Sequence, residues 1–479
     1  MIIRFSAADL EAFAAASHDR NPLHLSALYG RRTQFGRQVV YGALGALAVL
    51  ARLAPPPAGQ RVTSMTFEFA RAMFLDTDYQ VTPQAGGALL TDGSTKMMKV
   101  KLKFGPGKPW SPSIDSPAEA PRETAALLGE VELVPGLQQE RQYQADPEAS
   151  AALYMRLGLD AEAWGGFALS TILWASYLAG MELPGERALF FRFSIELDEP
   201  GSAASGPMAC RVKLKSRNAL NLLFSTFELA FNGQRAGAGQ IEVLLRPLPV
   251  VREFAYPQST ELAGKVALVT GASRGFGAAL TRALASRGAH VLAAFQYSLT
   301  DAECLHDSLS GVSGQVELLQ GDASNLAWCI QLKARYPKLD FLLLNACPAV
   351  LGMKAEAQAV ERLNAYVARA FELVSVPLSV FASTVENRNV LISSIYVETL
   401  PKEFPHYVAA KAAAEAMFRA VARQHRAPGY LIVRPPKLLT DMTNTPYGSE
   451  DAIAPEGLAC KVVDRLCAQL TGPGEVEML

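Results

Sequence analysis

Cysteine and histidine are both scarce in this chain of 479 residues, which contains six of each. The cysteines are scattered, with no CxxC pair and no spacing typical of metal ligands, so the sequence predicts reduced thiols, a cytoplasmic protein and no metal site. An excess of charge of one sign is also lacking, because 45 Lys and Arg residues balance 46 Asp and Glu residues. This balance gives no electrostatic reason to expect a nucleic acid or an anionic membrane as a partner.

Long hydrophobic runs are missing as well. The apolar run at residues 39–50 is shorter than the roughly 20 residues that cross a bilayer, and the N-terminus lacks the basic-then-apolar pattern of a signal peptide. Hydrophobic residues make up 50% of the chain and the mean hydropathy is +0.12, as in soluble globular proteins. We therefore expect no membrane association, and the length predicts roughly three domains.

Two proline-rich stretches, residues 105–121 and 246–257, predict linkers because such runs resist both helix and central strand. The predicted domains are residues 1–105, 125–247 and 262–479. The first two share an order of elements: one apolar helical run, then segments with the alternation and the β-branched and aromatic residues of strands. The helical runs are residues 42–53 and 165–181, and the strand segments are residues 62–69, 96–104, 188–197, 209–215, 222–231 and 239–245.

These patterns predict a multidomain fold. A central helix wrapped by an antiparallel sheet, occurring twice, is an α+β double hotdog. The third domain opens with a strand, a glycine turn and a helix at residues 265–285, and it continues to alternate strands with helices. That alternation predicts an α/β domain, a Rossmann-type doubly wound parallel sheet.

Asp19 and His24 place a carboxylate and an imidazole five positions apart, a spacing that a short loop can turn toward one cavity. Removal of water from a 3-hydroxyacyl thioester needs a base for the C2 proton, an acid for the hydroxyl, and donors for the thioester oxygen. Asp19 and His24 can share the first two tasks, and backbone N–H groups near Gly42 can supply the third. Taken alone, a pair with this spacing is more often a helix cap and a surface histidine.

The surrounding segment resembles the MaoC-like, (R)-specific enoyl-thioester hydratases. The likeness rests on residues in the family's order and spacing: Phe5, Ser6, Asp9, Phe13, Ala14, Asp19, Asn21, Pro22, His24, Val39, Val40, Tyr41 and Gly42. It implies Asp19 and His24 as the catalytic pair, with Asn21 and Gly42 in positioning or oxyanion roles, and it leaves open which of the pair moves which proton. Tyr41 departs from the family, which has histidine there. Residues 125–247 contain no histidine, so the second hotdog is predicted to be structural.

A second motif, residues 270–277, follows a predicted strand and precedes a predicted helix. Its glycines allow a tight turn and a close approach of the backbone to a pyrophosphate, which faces the N-terminus of the helix. The motif predicts a dinucleotide site formed by Gly271, Ser273, Arg274, Gly275, Phe276 and Gly277.

Together with residues further along, this motif resembles the short-chain dehydrogenase/reductases over about residues 262–479, and among them the 3-oxoacyl-[acyl-carrier-protein] reductases. The resemblance implies further cofactor contacts from Asp322 at the adenine, Asn345 and Thr440. Where the family has a glycine after Asn345 and Ala346, this chain has Cys347 and Pro348. Where the family has Pro-Gly before Thr440, this chain has two prolines, at 435 and 436. These departures leave the identity of the substrate open.

The same resemblance implies a catalytic set of Asn364, Ser394, Tyr407 and Lys411. Ser394 would bind the carbonyl oxygen, Tyr407 would donate a proton to it, and Asn364 would hold a water that leads protons to Lys411. Tyr407 and Lys411, at i and i+4, share a helix face. We expect the Lys411 cation to lower the pKa of the phenol and to hold the nicotinamide ribose.

The expected cofactor is NADP(H). NAD enzymes place an acid near the end of the second strand for the ribose diol. Here residues 290–295 are followed by Gln296, and the first acid is Asp301, while Arg274 can reach a 2′-phosphate.

Two sites on one chain predict consecutive reactions: NADPH-dependent reduction of a 3-oxoacyl thioester, then dehydration to the 2-enoyl thioester, in fatty-acid-like or polyketide synthesis. The acyl group would be carried by an acyl carrier protein or coenzyme A, and the assembly stays open, with a homodimer among the options. One alternative runs both reactions in reverse, in acyl degradation with NAD. Another makes the hotdog pair a non-catalytic acyl-binding module beside a working reductase.

Overall fold

Antiparallel strands dominate residues 1–247, and parallel strands dominate the rest of the chain. The structure is a computed structural model that describes residues 1–106, 111–112, 120–198, 207–231, 233–247, 253–350, 352, 360–425, 428–445, 451–468 and 476–479. The chain divides into unit 1, Met1–Leu248 with Thr445–Tyr447, and unit 2, Pro249–Asn444 with Gly448–Leu479. Both predicted linkers lie partly outside the described residues.

Unit 1 contains seven helices among its described residues. They are α1 (Ala7–Ser17), α2 (Pro22–Leu25), α3 (Ala27–Arg31), α4 (Gly42–Leu50), α5 (Pro147–Leu157), α6 (Ala161–Trp164) and α7 (Gly166–Tyr177), the last continued by a π-helical turn, Leu178–Glu182. Its strands are β1 (Ile2–Ile3), β2 (Arg61–Phe69), β3 (Tyr79–Gln84), β4 (Gly87–Asp92), β5 (Thr95–Gly105), β6 (Ser111–Pro112), β7 (Gln138–Tyr143), β8 (Ala188–Leu197), β9 (Met208–Arg217), β10 (Leu222–Phe231) and β11 (Gln234–Leu245).

These strands form one 11-stranded antiparallel sheet in the order β1-β3-β4-β5-β2-β8-β11-β10-β9-β7, with β6 paired to β11. Strands β2 and β8 join the two halves of the sheet, and Phe67 faces Phe193 across that pairing. Every predicted strand segment of the two halves is present, whereas β1, β3, β4, β6 and β7 were not predicted.

Helix α4 explains how the core of unit 1 is built. Its sequence is apolar on all sides, and every residue after Gly42 is buried. A helix that is hydrophobic all round has to be enclosed. Helix α7 has the same character, with ten buried residues of twelve, and the two helices contact each other.

Unit 2 contains seven strands and seven helices among its described residues. The strands are β12 (Val266–Thr270), β13 (His290–Phe295), β14 (Gln315–Gln320), β15 (Leu339–Leu344), β16 (Val385–Ile392), β17 (Gly429–Val433) and β18 (Val476–Met478). The helices are α8 (Gly275–Ser286), α9 (Leu299–Asp307), α10 (Leu326–Arg335), α11 (Val360–Phe381), α12 (Tyr396–Thr399), α13 (Pro405–Gln424) and α14 (Pro455–Cys467), with a short 3₁₀ turn, Ala382–Thr384, after α11.

The sheet of unit 2 is parallel throughout, in the order β14-β13-β12-β15-β16-β17-β18. The order reverses at β12, and ligands of such sheets bind at the carboxyl ends of the strands beside that point. The predicted Rossmann-type parallel sheet is therefore confirmed. By length and composition Val360–Thr384 could span a bilayer, but half of it is buried in the protein, as in a core helix.

Candidate active sites

The loop between α1 and α2 turns Asp19 into the interior of unit 1. Helix α1 ends at His18, which has a left-handed φ of 59°. Asn21 then caps α2 by accepting a hydrogen bond from the Leu23 N–H at 3.0 Å, and Pro22 stands at the first helical position, where its missing N–H costs nothing. Asp19 between these two turns is only 1% exposed.

The carboxylate of Asp19 is held from both halves of unit 1. Its Oδ1 accepts the N–H of Asn21 at 3.1 Å, and its Oδ2 accepts the hydroxyl of Ser176, on α7, at 2.7 Å. Burial raises the pKa of Asp19 to about 7, and the two hydrogen bonds oppose the rise only in part. At neutral pH this carboxyl is therefore poised between its acid and base forms.

The π-helical turn after α7 brings backbone against the same carboxylate. A Cβ on Gly180 would lie 2.5 Å from Asp19 Oδ1, so only glycine fits there. The side-chain amide of Asn21 donates to the carbonyl oxygens of Gly180 and Gly185, at 3.0 and 3.1 Å. Asn21 thus fastens the loop of Asp19 to the second half of unit 1, and both amide hydrogens are used in doing so.

His24 is fixed in one tautomer. Its Nδ1 lies 2.6 Å from the carbonyl oxygen of Val39, and because a carbonyl can only accept, Nδ1 carries the proton and Nε2 is the bare nitrogen. Burial lowers the pKa of His24 to about 4. The Arg246 cation also lowers this pKa, and the hydrogen bond to Val39 acts to raise it. The ring is neutral at neutral pH, with a lone pair available on Nε2.

Tyr41 links the two members of the pair. Its hydroxyl donates to the backbone carbonyl of Asp19 at 2.7 Å, and its ring stacks on His24 with centroids 3.8 Å apart. The tyrosine that departs from the hydratase pattern is fully buried and supports both residues. Gly42 follows it as the first residue of α4, where a Cβ would lie 2.9 Å from the ring of Phe69.

In unit 2 the predicted glycine motif forms the turn between β12 and α8. Gly271 has a φ of 67°, and a Cβ on Gly277 would lie 2.1 Å from the carbonyl oxygen of Gly271. Arg274 is the N-cap of α8 and makes no side-chain capping bond. The first N–H groups of α8 are therefore directed at an anion site, with Ser273 and Gly275 partly buried in the turn and the side chain of Phe276 buried in the core.

Asn345 and Thr440 close this turn from two sides. The side chain of Asn345 donates to the carbonyl oxygens of Thr270 and Gly271, at 3.2 and 3.1 Å. A Cβ on Gly275 would lie 3.4 Å from Thr440 Cγ2. Both residues therefore stand at the turn, and the geometry fits a pyrophosphate bound to backbone N–H groups.

Ser394, Tyr407 and Lys411 meet at the ends of β16 and α13. Ser394 is hydrogen-bonded to Tyr407, but burial, with Cys347 and Tyr396 acting in the same direction, raises the pKa of Tyr407 above its usual range. Lys411 Nζ donates to the carbonyl oxygen of Ile392 at 2.7 Å and lies 5.7 Å from the centroid of the Tyr407 ring. Burial thus raises the pKa of the phenol, where Lys411 had been expected to lower it.

Helix α11 directs Tyr366, and not Asn364, toward Tyr407. Asn364 is exposed, whereas Tyr366 is buried in one cluster with Tyr407. The hydroxyl of Tyr366 lies 3.6 Å from Cys347 Sγ. Tyr366 is therefore the α11 side chain that packs beside Tyr407, and the predicted role of Asn364, a water leading protons to Lys411, stays a prediction.

Ion pairs surround the adenosine end of the predicted cofactor site. Arg274 lies 3.8 Å from Asp301 and 3.7 Å from Asp441. The carboxylate of Asp322 accepts two hydrogen bonds from Arg369, at 3.0 and 2.9 Å. Burial acts to raise the pKa of Asp322, but the hydrogen bonds of Arg369 and Ser324 lower it below its usual value.

Comparison with known proteins bears on unit 2. Residues 265–450 match the family model described as short chain dehydrogenase. Elsinochrome reductase 1 of Elsinoe fawcettii is 38% identical over 92 residues, which are 18% of this chain and 34% of that protein. The 3-oxoacyl-[acyl-carrier-protein] reductase of Escherichia coli is 28% identical over 187 residues, 38% and 76% of the two chains. This chain thus spans only about a third of the first of these relatives.

A solved short chain dehydrogenase of Burkholderia cenocepacia in complex with NADP is 23% identical, covers 46% of this chain and 97% of its own, and gives a TM-score of 0.40. The family match, with the parallel sheet and the order of the glycine turn, Ser394, Tyr407 and Lys411, supports a short-chain dehydrogenase fold for residues 265–450. The match begins at residue 265 and does not bear on unit 1.

Four residues of these sites carried no signal in the sequence. Ser176, Arg246, Tyr366 and Arg369 each lie far along the chain from the group they contact, outside any motif. Among the described residues, no group of three or more His, Cys, Asp or Glu side chains is arranged to hold a metal ion.

Proposed function

We propose that this protein reduces a 3-oxoacyl thioester to its 3-hydroxy form in unit 2, with NADPH, and dehydrates the product to the 2-enoyl thioester in unit 1. The observation that carries the proposal is the pairing of protonation states in unit 1: a carboxyl of pKa about 7 at Asp19 and a neutral imidazole with a bare Nε2 at His24, with Tyr41 in contact with both residues. An acid and a base are then present together at neutral pH, which is the requirement of an elimination.

The reductase half follows from Tyr407 and Ser394. The glycine turn and the N-terminus of α8 would hold NADPH, which would supply a hydride for the carbonyl carbon. Ser394 hydrogen-bonds the carbonyl oxygen, and the phenol of Tyr407 transfers its proton to that oxygen as negative charge develops. Because its pKa is raised, Tyr407 is protonated at neutral pH, which is the form that reduction requires.

The dehydratase half assigns the two protons. His24 Nε2 takes the C2 proton, and the C2–H electron pair moves toward the thioester carbonyl, whose oxygen is stabilised by backbone N–H groups at Gly42. As the C3–O bond breaks, the protonated Asp19 gives its proton to the hydroxyl, which leaves as water. The opposite assignment needs a protonated His24, which a pKa of about 4 disfavours.

The architecture of unit 1 supports the hydratase resemblance. One half combines α4 with β1-β3-β4-β5-β2, and the other combines α7 with β8-β11-β10-β9-β7. A single apolar helix against a five-stranded antiparallel half-sheet, present twice, is the arrangement of a double hotdog. The first half carries the Asp19–His24 pair, and the second half contributes Ser176 to it.

The substrate class follows from the pairing of the two reactions at one β-carbon. An E. coli relative is by its name a 3-oxoacyl-[acyl-carrier-protein] reductase, and an acyl carrier protein or coenzyme A would carry the thioester here. Reduction followed by dehydration at the same carbon is the order of reactions in fatty-acid-like or polyketide synthesis.

Incubation of the protein with a 3-oxoacyl thioester and either NADPH or NADH tests both halves at once. We expect NADPH oxidation and, by mass spectrometry, the enoyl product. Tyr407→Phe should abolish the reduction but retain the hydration of an added enoyl thioester. Asp19→Asn should retain the reduction, so that the 3-hydroxyacyl thioester accumulates. Enoyl formation that survives Asp19→Asn would instead identify unit 1 as an acyl-binding module, and a preference for NAD would favour acyl degradation.

A further inference from the structure

Arg369 lies where two strands of unit 2 end. Its guanidinium binds Asp322 through both carboxylate oxygens, and the same Nη2 lies 3.2 Å from Gln296 Oε1. Gln296 is the residue directly after β13, and Asp322 comes two residues after β14. Arg369 itself belongs to α11, so three elements converge on its side chain.

The end of β13 is the position at which dinucleotide enzymes distinguish their two cofactors. An acid there binds the ribose diol of NAD, and an arginine nearby accommodates the 2′-phosphate of NADP. In this protein the residue at the strand end is the neutral Gln296, and the arginine in hydrogen-bond contact with it is Arg369.

The other cation of this region is less suited to the task. Arg274, in the glycine turn, stands between Asp301 and Asp441, so its positive charge is offset by two carboxylates. Arg369 faces one carboxylate, and its side chain is 34% exposed. A phosphate arriving beside Gln296 would therefore meet a more positive potential at Arg369 than at Arg274.

We propose that Arg369 binds the 2′-phosphate of the cofactor and sets the preference of unit 2 for NADP(H) over NAD(H). The proposal rests on the proposed NADPH-dependent reductase function. Asp322 holds the guanidinium in place beside Gln296 in the free protein, and on binding the guanidinium shares its N–H groups between Asp322 and the phosphate. Because Nη1 already donates to Ser324 Oγ, the phosphate takes the place of Gln296 as an acceptor of Nη2.

The test measures binding of two fragments by isothermal titration calorimetry, adenosine 2′,5′-bisphosphate and adenosine 5′-monophosphate, so no turnover is needed. The full chain is compared with Arg369→Gln, Arg369→Lys and the control Arg335→Gln. Arg335, on α10, forms an ion pair with Glu317 of β14, so the control loses a similar surface pair on a neighbouring strand and leaves the cofactor groove intact.

We expect Arg369→Gln to lower the affinity ratio of the bisphosphate to the monophosphate by about tenfold or more, the effect of one charge-assisted contact. Arg369→Lys should keep part of the ratio, and the control should keep all of it. An unchanged ratio in Arg369→Gln, a lysine variant no better than glutamine, or a wild-type ratio near one would each overturn the proposal. Failure of the reductase function shows separately, as absence of NADPH oxidation with the 3-oxoacyl thioester.

Discussion

Replacing Asp19 by asparagine should stabilise unit 1 above neutral pH while abolishing dehydration. The pKa of Asp19 rises from an ordinary 3.8 to about 7 because the side chain is buried. Below the lower value both the folded and the unfolded state hold the proton, and the carboxyl costs nothing. As pH rises the unfolded state ionises first, so stability falls until the folded pKa is passed, by about 4 kcal/mol in all.

Between about pH 5 and about pH 8 the expected change is about 3 kcal/mol, since part of the loss has already occurred at the lower pH. Asparagine does not titrate, so its free energy of unfolding lacks this pH-dependent loss. The difference in free energy of unfolding between Asp19→Asn and the wild type should therefore shift by about 3 kcal/mol in favour of the variant between about pH 5 and about pH 8. Urea unfolding followed by tryptophan fluorescence measures it, in a Trp328→Phe background that confines the remaining tryptophans to residues 1–248.

Asp9→Asn is the matched control, because Asp9 belongs to α1 but its pKa is shifted the other way. Burial acts to raise that pKa, but hydrogen bonds from Ser6 and Arg156 lower it below 3.8. The ionised Asp9 therefore stabilises the fold above its unfolded pKa, and this stabilisation is lost only at acid pH. Asp9→Asn should lower the free energy of unfolding by the same amount at about pH 5 and at about pH 8. A free-energy difference for Asp19→Asn that does not change with pH would refute the raised pKa and, with it, the acid role of Asp19.

Three further outcomes follow from the contacts. Ser176→Ala removes a hydrogen bond to the ionised form of Asp19, so the alkaline limb of the dehydration pH–rate profile should move up by about one unit. Arg246→Gln removes a cation that lowers the pKa of His24, so the acid limb of the same profile should also move up. Gly277→Ala would place a Cβ 2.1 Å from a backbone carbonyl oxygen of the phosphate-binding turn, and NADPH binding, followed by cofactor fluorescence, should be lost without loss of enoyl hydration.

Local patterns were sufficient to predict the elements that determine the fold. Alternating apolar residues predicted β8 and β10 to the residue, and the glycine turn after β12 predicted the parallel sheet. Strands β3 and β4 were missed because each has six residues and carries few apolar side chains in alternation. On β3, Gln80, Thr82 and Gln84 are exposed, and β4 follows after a two-residue turn. Such strands are specified mainly by the partner they pair with.

The candidate sites divide in the same way. Asp19, His24, Ser394, Tyr407 and Lys411 belong to motifs whose spacing is fixed by one helix or one loop, so the sequence alone places them. Contacts that depend on packing between distant elements leave no such spacing. The contact of Tyr366 with Tyr407 is of this kind: Asn364 and Tyr366 lie two positions apart on α11, and only the packing of the helix against α13 decides which one faces inward.

The second half of unit 1 has no Asp–His pair of its own, yet it remains bound to the chemistry of the first half. Ser176 hydrogen-bonds the carboxylate of Asp19, and Gly180 leaves no room for a side chain beside it. Any larger residue at 180 would displace Asp19 and the loop that Asn21 fastens to the same turn. The second half can therefore tolerate little change at Ser176 and in the π-helical turn, because the Asp19 carboxyl of the first half is packed directly against them.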